Sequence, residues 1–168
     1  MKRYLSATLL FLFGCATTQQ PGNQQSQSEK MALGWLTRAD FVNHDYPKFQ
    51  ENYDSASISP DFVEMIKSFN ADIDVIVVLG TWCGDSKRQV PRFLKIVDQV
   101  GIPQNRIRYY GVDRTKKSAD GVADQYQIEK VPTFIFFHAG REIGRIIEGP
   151  RTTMEEEMML LFAGGANR

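Results

Sequence analysis

Cys83 is the residue of this chain best placed for covalent chemistry. It sits in Thr81-Trp82-Cys83-Gly84-Asp85-Ser86, between an apolar run and a segment of helical periodicity. A thiolate is a strong nucleophile toward sulfur, so the chemistry to expect is attack on a disulfide, giving a mixed disulfide. Ser86 follows three residues on. Its hydroxyl can donate a hydrogen bond to a thiolate, but it cannot form a stable bond to sulfur and so cannot resolve such an adduct. Lys87 and Arg88 bring positive charge close to the thiol, and Asp85 opposes them. Cys83, His44 and His138 make no metal-ligand spacing, so no metal is expected. His44 reads as a surface or packing histidine, and nothing calls for a cofactor.

Two elements must hold that thiol. Asp74-Val75-Ile76-Val77-Val78-Leu79-Gly80 is a β-branched run suited to a strand buried on both faces. From Lys87 to Val100, Val90, Phe93, Leu94 and Val97 recur at helical spacing. The handover leaves Cys83 at or just before a helix N-terminus, where free N–H groups and the positive end of the helix dipole favour a thiolate.

The flanking sequence supplies further elements. Residues 31–58 carry Trp35, Leu36, Phe41, Val42, Tyr46, Phe49 and Tyr53, and predict a short helix with an extended piece laid against a sheet. Ser59-Pro60 opens a helix with an N-cap and a first-turn proline. Phe62, Met65, Ile66 and Phe69 would form its apolar face, and Asn70-Ala71-Asp72 would end it. Past a turn at Gly101-Ile102-Pro103, Ile107–Val112 reads as a strand. A polar loop over 113–117 and a short helix through Val122 and Tyr126 come next. Phe134–His138 and Glu142–Glu148 form a hairpin about Ala139-Gly140. Thr152 or Thr153, with Glu155 or Glu156, caps a closing helix that packs through Met158, Met159, Leu161 and Phe162.

Three motifs together resemble the thioredoxin superfamily over roughly residues 62–162. They are Trp82-Cys83-Gly84 closing a buried strand, Pro91 eight residues after the cysteine, and Val131-Pro132-Thr133 before Phe134-Ile135-Phe136-Phe137. The resemblance implies an α/β thioredoxin-like fold. A parallel βαβ unit is followed by an antiparallel hairpin, giving a central mixed β-sheet flanked by helices. It also implies that Pro91 kinks the active-site helix and that Pro132 is a cis proline. Val131 and Thr133 would then pair with an extended substrate strand opposite Cys83. Trp82 would shield one side of a substrate site that also includes Gly84 and Asp85. This chain departs from the family in two places: Ser86 replaces the usual second cysteine, and Val77 replaces a buried aspartate that moves protons during resolution. Both losses fit a CxxS site that works without an internal resolving thiol.

The 168 residues, 42% hydrophobic, suit one domain with a real core, here over residues 31–168 with an N-terminal extension. Lys and Arg total 20, as do Asp and Glu, so no nucleic-acid surface is indicated. Met1-Lys2-Arg3 and the apolar Tyr4–Phe13 form a secretory leader, too short to span a bilayer. Leu12-Phe13-Gly14-Cys15 resembles a bacterial lipobox, which implies a signal peptide over 1–14 and lipidation of Cys15. An ordinary leader cut a few residues later is the alternative. Ala16 after the cysteine implies an outer-membrane destination. The Gln- and Ser-rich stretch after Cys15, up to residue 30, reads as a flexible tether.

The function expected is thus monothiol thiol–disulfide exchange on envelope proteins or small thiol adducts. The protein would be a periplasm-facing monomer held to the membrane by its lipid. Protein disulfides or thiols, and a small external thiol, would be its partners. Two other readings stay open: a non-catalytic module that holds a partner polypeptide, and a peroxide-sensing cysteine that cycles through sulfenic acid.

Overall fold

The computed structural model describes residues 30–68 and 73–166. The leader, most of the tether, Cys15 and the helix end at Phe69-Asn70-Ala71-Asp72 lie outside the described residues.

The apolar run before the thiol forms strand β2 (Ile73–Leu79), buried along its length except at Asp74. It is the middle strand of a five-stranded mixed sheet. Strand β1 (Gly34–Leu36) pairs antiparallel with β3 (Ile107–Gly111), β3 parallel with β2, and β2 antiparallel with β4 (Thr133–His138). Strand β5 (Arg141–Ile147) closes the antiparallel hairpin with β4, so the spatial order is β1-β3-β2-β4-β5. The crossover from β2 to β3 is helix α3 (Gly84–Val100), as a parallel pair requires. Its Val90, Phe93, Leu94, Ile96 and Val97 are fully buried.

Strand alternation divides the interior in two. Val75, Val77, Leu79, Tyr109, Phe134 and Phe136 face a thick layer of four helices. These are α1 (Pro47–Ser55), α2 (Pro60–Ser68), α3 and α5 (Met154–Ala166). Ile76, Val78, Tyr110, Val112 and Ile135 face the other way, beneath the single turn α4 (Val122–Gln125) and the residues after it. Burying one large apolar side chain contributes about 1.5–3 kcal/mol. An exposed pair such as Lys48–Glu51 contributes about 0.2–1 kcal/mol. The layers, not the surface charges, therefore set the architecture.

The extension before residue 59 belongs to this core. Its extended piece enters the sheet as β1. Phe41 is fully buried, 5.1 Å ring to ring from Tyr109 and 5.5 Å from Phe49 of α1. Arg38 donates twice to Asp98 of α3 (2.8 and 3.0 Å), and the Tyr53 hydroxyl donates to the same carboxylate at 2.7 Å. Gly111 makes the crossing possible, because a Cβ there would lie 2.1 Å from the Ala32 carbonyl oxygen. Helix α2 differs from expectation: it buries Val63 and Ile66 and leaves Met65 exposed. Packing against both α3 and α5 selects that face. Helix α5 begins as its sequence suggests, with the Glu156 N–H donating to Thr153 Oγ1 at 3.2 Å.

Candidate active site

Three segments meet at Cys83. The end of β2 passes through Gly80, Thr81 and Trp82 to the thiol, which is the N-cap residue of α3 with extended backbone (φ −80°, ψ 128°). Its N–H bonds to the Gly80 carbonyl at 2.8 Å, and its own carbonyl accepts the Lys87 N–H at 3.0 Å. The thiol is half-buried. It points at the third segment, donating to the Val131 carbonyl oxygen at 3.3 Å. The Val131–Pro132 peptide is cis, and both residues are buried.

The thiol's neighbours have separate jobs. The Trp82 indole lies over Gly80, where a Cβ would sit 2.6 Å from Cε2. Its Nε1–H donates to the Val112 carbonyl at 2.9 Å. The Arg114 guanidinium stands 5.1 Å from the indole centroid, a contact of about 0.5–1 kcal/mol at an exposed site. Thr81 is fully buried and accepts the Ala32 N–H on Oγ1 at 3.2 Å. Sequence reasoning assigned no role to Thr81 or Arg114, because both act through partners distant in sequence.

Ser86 is fully buried. Its Oγ accepts the Gly80 N–H at 3.2 Å, a separate role from the bond that its hydroxyl could donate to sulfur. That N–H lies just past the end of β2 and needs an acceptor of its own. Among the hydrogen bonds of the described residues, Ser86 is held by Gly80 and not by Cys83. The charge balance next to the thiol also differs from a simple count, since Arg88 is hydrogen-bonded to Asp85 within the first turn of α3. Val77 is fully buried, in register with Tyr109 on β3 and Phe134 on β4, so no carboxylate occupies that position.

Gly84 is exposed, with open space where a side chain would go. Thr133 is different. It lies between β2 and β5, in register with Val78 and Ile147, and its hydroxyl donates to the Lys130 carbonyl at 2.7 Å. Val131 is therefore the loop residue whose backbone meets the thiol. Beside the loop, the Glu148 N–H donates to the Pro132 carbonyl at 2.7 Å. The Lys130 ammonium donates to the Glu148 carboxylate at 2.7 Å, and that hydrogen bond holds Lys130 above its ordinary range. The site thus offers one thiol, open space at Gly84 and a backbone loop opposite.

A family model described as Thioredoxin matches residues 37–161. The chain is 28% identical over 100 residues to thioredoxin-2 of Saccharomyces cerevisiae, covering 60% of this chain and 81% of that protein. It is 23% identical over 99 residues to a thioredoxin-like protein of Acanthamoeba polyphaga mimivirus, covering 59% of this chain and 69% of that one. Other relatives are longer, and the chain spans only 20% of one and 36% of another. Among solved structures, oxidized mitochondrial thioredoxin 3 from Saccharomyces cerevisiae is 28% identical with a TM-score of 0.35. That match covers 57% of this chain and 86% of that one. Relatives of this kind indicate thiol–disulfide redox chemistry as a general class.

Proposed function

We propose, this chain being a member of the thioredoxin family, that it performs monothiol thiol–disulfide exchange through Cys83. The observation that carries the reading is the pairing of a half-buried nucleophilic sulfur with a buried hydroxyl at the resolving position. In the first step the Cys83 thiolate attacks one sulfur of a substrate disulfide. A bond forms between Cys83 and that sulfur, and the other sulfur leaves as a thiolate. Ser86 cannot attack the adduct, and Val77 offers no proton acceptor. An external thiolate therefore attacks the substrate sulfur of the adduct, forming a new disulfide and returning Cys83 as a thiolate. The cycle suits disulfide shuffling and removal of small thiol adducts from proteins. Trp82 and the Val131 carbonyl would flank an extended partner, with Gly84 leaving it room to approach.

The expected result is measurable with a protein carrying a small mixed disulfide and an excess of a small thiol. Wild-type protein should accelerate release of the adduct, and Cys83→Ser should abolish that acceleration while still folding. If Cys83→Ser retains both partner capture and any cellular phenotype, the chain is a binding module instead.

The leader motif Leu12-Phe13-Gly14-Cys15 and the polar tether support a lipid-anchored, periplasm-facing protein, with the outer membrane as its destination. Cys15→Ser should move the protein out of the membrane fraction with its melting behaviour unchanged. Retention in membranes at high salt would remove lipidation as the anchor.

A further inference from the structure

Pro91 lies inside α3, eight residues after Cys83, and is buried. Proline has no N–H, so the helical bond from residue 91 back to the carbonyl of residue 87 cannot form. In an ordinary kinked helix, water or a neighbouring group takes up such a carbonyl. Here the donor comes from another element: Asn52 Nδ2 of α1 donates to the Lys87 carbonyl at 2.7 Å. The Lys87 N–H makes the bond to the Cys83 carbonyl that opens the helix. Lys87 is thus tied to Cys83 on one side and to the N-terminal extension on the other.

We propose that Asn52 is a positioning residue for Cys83. It replaces the hydrogen bond that Pro91 removes and so fixes the first turn of α3, which aims the sulfur at the Val131 carbonyl. Its neighbours on α1 make it a firm support. Phe49 is fully buried, and Tyr53 is hydrogen-bonded to Asp98 further along α3. The extension therefore grips α3 along its length, at Asp98 and Lys95 through Tyr53 and, a single turn from the thiol, at Lys87 through Asn52. Asn52 adds no charge and touches no reacting atom, so its effect is one of geometry.

The inference rests on Cys83 acting as the nucleophile, and a double-mutant cycle tests it separately from turnover. The readouts are the second-order rate of Cys83 with a small aromatic disulfide, across pH, and the melting temperature of each variant. Asn52→Leu keeps the volume and removes the donor. It should slow Cys83 by roughly three- to tenfold at temperatures where the variant is fully folded. Pro91→Ala restores an N–H to the helix, which can then satisfy the Lys87 carbonyl from within. In that background Asn52→Leu should leave the Cys83 rate unchanged. Should Asn52→Leu fail to fold, Asn52→Ser, too short to reach, takes its place in the cycle. The proposal is overturned if the substitution lowers the melting temperature without changing the rate. It is equally overturned if the rate falls by the same factor with Pro91 and with alanine there. An inert wild-type Cys83 would instead overturn the exchange reading itself.

Discussion

The two faces of the sheet are built to different depths. One is covered by α1, α2, α3 and α5, with Phe93, Phe134, Phe136 and Phe162 in contact at its centre. The other is covered by the four residues of α4 and the segments beside it, and Trp82 and Cys83 pack at its margin. The turn that carries Cys83, the candidate active site, lies where the two meet. Ser86 belongs to the deep side and is sealed there, while Cys83 is half-buried on the shallow side. A nucleophile needs a rigid mount and an open approach, and this division supplies one from each face.

A matched pair of substitutions tests the difference in depth. Val97→Ala, on the fully buried face of α3, removes two methyl groups from a site hemmed in by helices. It should cost about 2–3 kcal/mol in urea denaturation, transfer and cavity terms together. Val122→Ala, on the shallow α4, removes the same atoms where neighbours can close around them. It should cost about 1 kcal/mol. Equal costs would mean that the faces are equally well packed.

A smaller effect should come from the hydroxyl at the shallow face. Tyr110 donates to Asp120 at 2.6 Å, and that hydrogen bond holds the Asp120 carboxyl below the ordinary carboxylate range. A depressed folded-state value contributes stability that is present above the unfolded carboxylate range and is lost as pH falls through the folded value. Tyr110→Phe should therefore destabilise the protein at neutral pH, with the gap to wild type closing as the pH drops below that range. A gap of constant size from neutral to acid pH would show that Asp120 plays no part.

Much of the fold was legible because its signals are local. The run from Asp74 to Gly80, the helical spacing after Lys87, and the hairpin about Ala139-Gly140 each name their element without outside help. Residues 31–58 were harder, since β1 is three residues long and the turn after it is a single 3-10 turn over Arg38–Asp40. Neither is long enough to show a period. For helix α2 the sequence pattern put Met65 on the apolar face, and packing against α3 and α5 decides for Val63 instead. At the site, the thiol could be read directly, and the resemblance to the family pointed to the proline loop and to Ser86 in place of a second cysteine. The Gly80 bond to Ser86, the Arg88 bond to Asp85 and the Asn52 bond to Lys87 could not. Each depends on where a backbone group or a neighbour ends up after folding.

The lifetime of the Cys83 adduct tests the proposed monothiol exchange most directly. Wild-type protein is loaded with a small disulfide, freed of excess reagent, and followed for release of the bound thiol with and without added thiol. The same is done for Ser86→Cys, whose introduced thiol sits within one helical turn of the adduct and can attack the Cys83 sulfur, expelling the bound group. The wild-type adduct should persist until a thiol is added, and the Ser86→Cys adduct should release its group unaided as an internal disulfide forms. Unaided release from wild-type protein would contradict the claim that Cys83 works alone.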